Sequence, residues 1–324
     1  MYLLLKALCK FKRGCGGASS GEITAASSAL SFSSESKSNA LYPSRPMPKL
    51  PISIRMPEGS EPRSLNFPCY SISYQPRLTS FLQEPIRLMN REYHKWYSTR
   101  LGREMELLVF GHSGLPVLVF PTSGGRFFEF EDRQMISAVG DRIERGDLQF
   151  YCVDSVDMES WYNRSVPPRW KIARHVQYED YLIHEVIPLI RKKNWDSHLV
   201  SLGCSFGGYH ATNIALRHPD IFTGMLTMSG AFDLSNFLAG YYDQDCYFNL
   251  PTHYLPNLAD PWFFDHYRRN AYILCTGWDD QCLPQNQLLD RIMSSKGIPH
   301  KLYTWETWNS HDWPTWQRMI QEYL

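Results

Sequence analysis

The sequence predicts an α/β fold with a mostly parallel central sheet and helices on both of its faces. Short apolar runs typical of buried strands alternate with longer segments whose apolar residues recur every three or four positions, as on one face of a helix. Strands that alternate with helices form parallel sheets that are covered on both sides. The 324 residues, 43% hydrophobic and 20% charged, supply enough material for the core of one large domain.

The predicted elements follow this alternation along the chain. Strands are predicted at 106–110, 116–120, 149–153, 199–203, 225–229, 271–276 and 301–305, and helices at 130–145, 178–191, 207–217, 285–295 and 313–323. Two stretches, 154–174 and 237–264, are rich in aromatic residues and lack the pattern. Because loops of such length in a compact domain usually serve function, we expect these two to shape the substrate pocket.

The N-terminal part of the chain has a different composition. Residues 1–46 are rich in Ser and Ala and carry mainly basic charges, so we expect a tail without a fold over 1–65 and a catalytic domain over 66–324. The tail is either a disordered segment, upstream sequence read in frame before a start at Met47 or Met56, or an organellar transit peptide. The expected compartment is cytoplasmic, or organellar if the tail is a transit peptide.

Charge and cysteine usage argue against several classes of protein. Thirty-three basic residues balance thirty-three acidic ones, which disfavours nucleic acid and membrane surfaces as partners. No apolar run is long enough for a transmembrane helix. The eight cysteines form no C-x-x-C pair and have no clustered histidines, so we expect no disulfide framework, no metal site and no cofactor. The sequence leaves the oligomeric state open.

The stretch Gly203-Cys204-Ser205-Phe206-Gly207 has the pattern G-x-S-x-G between a predicted strand and a predicted helix. In that context the glycines permit a sharp turn that lifts the serine hydroxyl above the sheet edge, at the positive end of the helix. The alternative is a glycine-rich helix start that only packs closely. The flanking glycines frame Ser205 as the candidate nucleophile and leave Cys204 as a buried structural residue.

A serine nucleophile needs a base, and the base needs a group that orients it. Asp280 and Asp279 both follow the strand predicted at 271–276, and we favour Asp280 with Asp279 in reserve. His311 follows the strand predicted at 301–305, on a loop before the last helix. Taken singly, the aspartates have the alternative of a solvated turn pair or a cap on the next helix, and a lone loop histidine is usually a surface residue. The order serine, acid, histidine is the one expected for a triad on this kind of sheet.

Backbone NH groups must stabilise the oxyanion that forms when the serine attacks a carbonyl. The NH of Phe206 is one candidate, and the loop Thr122-Ser123-Gly124-Gly125 after an early strand offers a second. Among the four residues of this loop we favour Ser123 and Gly124, although a simple turn is an alternative. Trp161 and Tyr162 lie in the first irregular stretch and are candidate substrate-binding residues, with ordinary packing as the alternative.

The run GCSFGGYHATNIALRHPDIFTGMLTMSGAFDL, then GWDDQCLP and SHDW, resembles the branch of the α/β-hydrolase superfamily that contains esterase D, feruloyl esterases and mycolyltransferases. The resemblance spans roughly residues 93–324. It implies an α/β-hydrolase fold with Ser205 as nucleophile, Asp280 as orienting acid and His311 as general base. Many relatives have His-Gly where this chain has Pro121-Thr122 before Ser123-Gly124-Gly125, so the oxyanion donors transfer least well.

The sequence therefore predicts a serine esterase that cleaves a small-molecule carboxylic ester or thioester through an acyl-enzyme. Two alternatives stay open at this point. One is acyl transfer to an alcohol by the same triad. The other is a non-catalytic member of the fold that binds a ligand or partner.

Overall fold

The computed structural model describes residues 89–324. The predicted tail over 1–65 and the predicted domain start at residue 66 lie outside this range. Within it, no helix combines the length and the apolar character that crossing a membrane requires.

The core of the described region is one eight-stranded sheet with the spatial order β1-β2-β4-β3-β5-β6-β7-β8. The first two strands pair antiparallel with their neighbours, and all pairs from β4 to β8 are parallel. The strands are β1 (Arg91–Ser98), β2 (Arg103–Phe110), β3 (Leu115–Phe120), β4 (Leu148–Val153), β5 (Val200–Cys204), β6 (Gly224–Met228), β7 (Ala271–Gly277) and β8 (Lys301–Trp305). This confirms the predicted mostly parallel sheet.

The strands follow from the sequence in two ways. Strands β3 to β7 are buried on both faces and read as continuous apolar runs, which the sequence analysis found within one or two residues at each end. The edge strand β1 alternates exposed and half-buried side chains, REYHKWYS, and was missed. An exposed edge strand carries many polar residues, so it lacks the apolar signal on which the prediction rested.

The helices are shorter and more numerous than predicted. They are α1 (Glu129–Asp132), α2 (Met135–Ala138), α3 (Gly140–Glu144), α4 (Pro168–Tyr181), α5 (Ile187–Lys193), α6 (Phe206–Arg217), α7 (Gln244–Phe248), α8 (Pro251–Tyr254), α9 (Pro261–Tyr267), α10 (Leu283–Ser295) and α11 (Trp313–Tyr323). A π-helical turn (Leu182–Val186) joins α4 to α5, and two 3₁₀ turns are Ser235–Leu238 and Leu255–Asn257.

Three helix predictions need correction. The single helix expected at 130–145 is three short ones, because Gln134 adopts a left-handed φ of 58° that interrupts the helix. The helix expected to begin at 178 begins at Pro168, where proline suits a first helical position. The stretch 237–264 contains α7, α8 and the start of α9, since its prolines begin new short helices and do not prevent them.

Helices cover both faces of the sheet and bury two separate apolar layers. In β3, Leu118 and Phe120 belong to the layer beneath α4, α6 and α10, while Val117 and Val119 belong to the layer beneath α2, α3 and α11. This alternation is the period-two pattern of a strand buried on both faces. The carboxyl ends of the parallel strands therefore meet at one edge of the sheet, where sites form in open α/β folds.

Candidate active site

The turn between β5 and α6 holds Ser205 in a strained conformation, with φ 52° and ψ −119°. A Cβ on Gly203 would lie 2.1 Å from the carbonyl oxygen of Gly207, and a Cβ on Gly207 would lie 2.5 Å from that of Phe120. Both positions thus exclude any larger residue. The backbone of Ser205 is anchored to β6, since its NH donates to the carbonyl of Met228 at 2.9 Å. The local sequence therefore forces the tight turn that presents the serine hydroxyl.

The loops after β7 and β8 bring an aspartate and a histidine to this serine. The Nε2 atom of His311 lies 3.0 Å from the Oγ atom of Ser205, and its Nδ1 atom lies 2.9 Å from Oδ1 of Asp280. The histidine side chain is 22% exposed, whereas the aspartate side chain is fully buried. The imidazole thus bridges a hydroxyl and a carboxylate in the geometry that proton transfer requires.

The buried carboxylate of Asp280 stays ionised because its surroundings stabilise the charge. Burial alone would raise its pKa, but hydrogen bonds from His311, from the hydroxyl of Ser229 and from the NH of Cys282 outweigh that effect and lower the pKa. The Cys282 NH lies 2.7 Å from Oδ1. An ionised carboxylate is what holds the neighbouring Nδ1 protonated.

The reserve acid, Asp279, has a different place. Its carboxylate is exposed and accepts the NH of Asn309 at 2.9 Å and both the NH and the hydroxyl of Ser310. These hydrogen bonds lower its pKa. Asp279 therefore ties the loop after β8 to the loop after β7, next to His311, while Asp280 contacts the imidazole.

Two residues that the sequence analysis did not single out support the aspartate and histidine. The indole NH of Trp316 donates to Oγ of Ser229 at 2.9 Å, and both side chains are buried. The Trp316 ring also packs edge-on against the His311 ring, with centroids 5.1 Å apart. Ser229 directly follows β6 and has a left-handed φ of 56°. A serine in a Ser-Gly pair at a strand end was the available signal, but that pair also marks ordinary turns.

In the loop after β3, two of the four NH groups have no acceptor within the described part of the chain. The NH of Thr122 donates to Glu129 at 2.7 Å, and the NH of Gly125 donates to the carbonyl of Thr122 at 2.9 Å. The NH groups of Ser123 and Gly124 have no acceptor among residues 89–324, and both residues are exposed. Phe206, the first residue of α6, has an NH for which the helix offers no acceptor.

Of the two candidate substrate-binding residues, Tyr162 contacts this loop and Trp161 is buried. The hydroxyl of Tyr162 donates to Oγ of Ser123 at 2.7 Å, and its ring packs edge-on against Phe206 with centroids 5.1 Å apart. Trp161 is fully buried against Tyr209, in an edge-on contact with centroids 5.6 Å apart. Tyr162 thus connects the loop after β3 with the serine turn.

Neither nearby cysteine is a good nucleophile or metal ligand. Cys204 is fully buried, and burial raises the pKa of its thiol well above the usual value. Asp280, Cys282 and His311 bring possible ligand atoms within 4.8 Å of one another. However, burial raises the pKa of Cys282 to about 12, so it stays a protonated thiol, and the thiolate is the form that binds metals.

Several solved structures share this architecture. A ferulic acid esterase aligns with a TM-score of 0.58 at 17% identity, covering 72% of this chain and 95% of that one. An S-formylglutathione hydrolase from Agrobacterium tumefaciens aligns with a TM-score of 0.56 at 16% identity, and the alignment covers 72% of this chain and 95% of that one. The Mycobacterium tuberculosis protein MPT51 (FbpC1) aligns with a TM-score of 0.53 at 15% identity, and the alignment covers 71% of this chain and 95% of that one. These similarities define the fold as that of the α/β-hydrolases, as predicted.

The sequence model of the family described as "Putative esterase" matches residues 98–323, more than half of the chain. The chain belongs to this family, which confirms the resemblance seen in the sequence. It is a carboxylic ester hydrolase that acts on small-molecule esters. A comparison with curated protein sequences gave no match.

Proposed function

We propose that this protein is a serine esterase that cleaves a carboxylic ester or thioester through an acyl-enzyme on Ser205. The observation that carries the proposal is the position of His311, 3.0 Å from the serine hydroxyl at one ring nitrogen and 2.9 Å from Asp280 at the other. Nucleophile, base and orienting acid in mutual contact are the arrangement that activates a serine.

Each residue of the proposed triad has one task. Asp280 accepts a hydrogen bond from the Nδ1–H of His311, and Nε2 is therefore free to accept the proton of Ser205. The serine oxygen then attacks the substrate carbonyl, and His311 returns the proton to the departing alcohol or thiol. Water attacks the acyl-enzyme with His311 again as base, which releases the acid and restores the serine.

The proposed oxyanion donors are the NH of Phe206 and the NH groups of Ser123 and Gly124. Their support is that these NH groups have no acceptor among the described residues, while those of Thr122 and Gly125 are already occupied. Donors that need not reorganise during the reaction stabilise the developing negative charge most strongly. Gly124 also has a φ of 68°, which lets the loop backbone approach a substrate closely.

The test is to treat the folded full-length protein with a fluorophosphonate probe and to locate the label by peptide mass spectrometry. We expect label on Ser205, with the rate of labelling reduced by about 10³-fold or more in His311→Ala. The matched control is His184→Ala, because His184 is an exposed histidine on the π-helical turn that takes no part in the proposed mechanism. It should label like the unaltered protein.

Hydrolysis of 4-nitrophenyl acetate by the same proteins gives the second readout. Label on a residue other than Ser205, or equal labelling in both histidine variants, would contradict the proposed triad. Equal hydrolysis by Ser205→Ala and the unaltered protein would also contradict it.

A further inference from the structure

A hollow of about 400 Å³ lies against the first irregular stretch of the chain. Its walls combine aromatic rings with two cationic side chains and are formed by Trp161, Tyr162, Arg164, Lys171, Asn236, Phe237 and Ala239. Binding pockets for small molecules commonly have volumes of 300 Å³ or more, largely apolar walls and a few polar groups that fix orientation. We call this hollow the basic pocket.

The basic pocket adjoins the proposed active site through Tyr162. The ring of this residue forms part of the wall, and its hydroxyl donates to Oγ of Ser123 on the proposed oxyanion loop. The ring also packs against Phe206, the residue after the nucleophile, and Phe237 contacts both rings, with centroids 5.0 and 5.8 Å away. The rings of Tyr162 and Phe237 therefore belong both to the wall of the pocket and to the surroundings of Phe206.

The polar groups of the basic pocket are mainly hydrogen-bond donors. None of its seven lining residues carries a carboxylate. Arg164 is exposed and has no ion pair or hydrogen bond among residues 89–324. Lys171 donates to the carbonyl of Phe237 at 3.2 Å, which leaves further donor positions on its ammonium group.

The same wall also contains a buried donor without a partner among residues 89–324. The Nε1 atom of Trp161 is buried and has no acceptor in the described part of the chain. Buried indole NH groups usually find a partner. The two cations have no ion pair in the described part of the chain, so they are complementary to a negatively charged acceptor, and the aromatic walls are complementary to a flat apolar group.

We propose that the basic pocket binds a carboxylate-bearing aromatic part of the ester substrate, so that the enzyme prefers anionic aryl esters to neutral ones. This inference rests on the proposed function, because it assigns the substrate class of that site. Arg164 supplies a planar guanidinium that can bind a carboxylate through two hydrogen bonds, and Lys171 supplies a second positive charge. Phe237 and Tyr162 contact the ring.

The experiment compares kcat/KM for matched pairs of rigid esters. In one pair the charge is on the leaving group, with 4-carboxyphenyl acetate against its neutral methyl ester. In the other pair the charge is on the acyl group, with methyl hydrogen terephthalate against dimethyl terephthalate. For each pair, the ratio of kcat/KM for the anionic ester to kcat/KM for the neutral ester is compared between variants. Because intrinsic reactivity is the same for every variant, it cancels in this comparison. The pair whose ratio changes shows which half of the ester the pocket holds.

We expect the ratio for one of the two pairs to fall about tenfold in Arg164→Gln and about tenfold in Lys171→Met, as for loss of a hydrogen bond to a charged group. If the two cations act independently, the free-energy change calculated from the ratio in the double variant should be about the sum of the changes in the two single variants. The control is Arg169→Gln, which removes an exposed arginine that does not line the pocket. Its ratios should stay within about twofold of the unaltered protein.

Binding to Ser205→Ala provides a readout that does not depend on catalysis. Calorimetry with methyl hydrogen terephthalate and with 4-carboxyphenyl acetate should give binding that weakens when Arg164→Gln and Lys171→Met are added. Unchanged ratios and unchanged binding in the double variant would overturn the assignment of the pocket. If fluorophosphonate labelling of Ser205 fails while charge-dependent binding persists, the proposed function falls and the anion pocket stands.

Discussion

Two aspartate–histidine pairs flank the same serine turn, yet their surroundings differ. In the first, Asp280 and His311 are 2.9 Å apart on loops at the sheet edge, and the second ring nitrogen of the histidine reaches Ser205. In the second, Asp157 and His210 are 2.8 Å apart, and both side chains are at most 1% exposed. The His210 ring packs among Phe120, Phe206 and Tyr178 and is in helix α6.

The comparison shows that an aspartate–histidine contact does not by itself indicate catalysis. A general base needs a ring nitrogen that faces the group it deprotonates, together with access to substrate. The imidazole of His311 has both, whereas the contacts of His210 within the described part of the chain are a carboxylate and aromatic rings. We therefore interpret the buried pair as a structural link between the irregular stretch after β4 and helix α6, which follows the proposed nucleophile.

The largest expected effect distinguishes the two aspartates. Asp280→Asn should lower kcat for 4-nitrophenyl acetate by about 10³- to 10⁴-fold with little loss of stability, because the amide does not hold the imidazole in the correct tautomer. Asp157→Asn should instead lower the free energy of unfolding by about 2–4 kcal/mol, because it removes the carboxylate from a fully buried hydrogen bond to His210. Its kcat, measured where the protein is folded, should stay within about threefold of the original.

Steady-state kinetics and urea unfolding of each variant check this difference. Asp290→Asn is the matched control, because Asp290 contacts His300 at 3.0 Å but is 35% exposed. Asp290→Asn should change neither kcat nor the free energy of unfolding by a large amount. The structural interpretation of the buried pair would fail if Asp157→Asn lost catalysis as Asp280→Asn does while remaining folded.

A smaller effect is expected from the side chains behind the proposed triad. Trp316→Phe keeps an aromatic ring against His311 but removes the NH that positions the hydroxyl of Ser229, and Ser229→Ala removes that hydroxyl. Each change should lower kcat about tenfold and leave KM nearly unchanged, because it alters the orientation of Asp280 and not substrate contacts.

The double variant Trp316→Phe with Ser229→Ala tests whether the two side chains act through each other. Residues in one hydrogen-bond chain are not additive, so it should be little worse than either single change. Trp313→Phe is the control, because Trp313 packs against Trp316 without a hydrogen bond to Ser229. A hundredfold decrease of kcat in the double variant would mean that the two side chains affect Asp280 independently, and would contradict this prediction.

The sequence predicted those parts of the molecule whose signal is local. Buried strands are continuous apolar runs, and the glycines around Ser205 are required by contacts within a few residues or with the adjacent strand. The choice between Asp279 and Asp280 was not decidable from spacing, since both follow β7 and the direction of each side chain depends on the loop after β8. The pair Asp157 and His210 is separated by 53 positions and has no local pattern that predicts its contact.

The smallest expected effect concerns the buried side of the comparison, where His175 packs beside His210 with ring centroids 5.5 Å apart. Burial lowers the pKa of His175 to about 3, whereas an unfolded histidine titrates near 6.5. Between these values the unfolded chain binds a proton that the folded protein does not. Stability from this residue is therefore fully present above pH 6.5 and is lost as the pH falls toward 3.

Urea unfolding at pH 7.5 and pH 5.5 should show the contribution of His175. The linkage relation predicts that this residue lowers the free energy of unfolding by about 1.4 kcal/mol when the pH falls from 7.5 to 5.5. His175→Phe keeps an aromatic ring at this position but cannot bind the proton. The decrease in its free energy of unfolding between pH 7.5 and pH 5.5 should therefore be smaller by that amount than in the unaltered protein. His184→Phe serves as control, because it replaces an exposed histidine on the π-helical turn with the same aromatic residue. An equal loss in His175→Phe and the unaltered protein would mean that His175 is protonated without unfolding, and the buried histidines would then be accessible to solvent protons as His311 is.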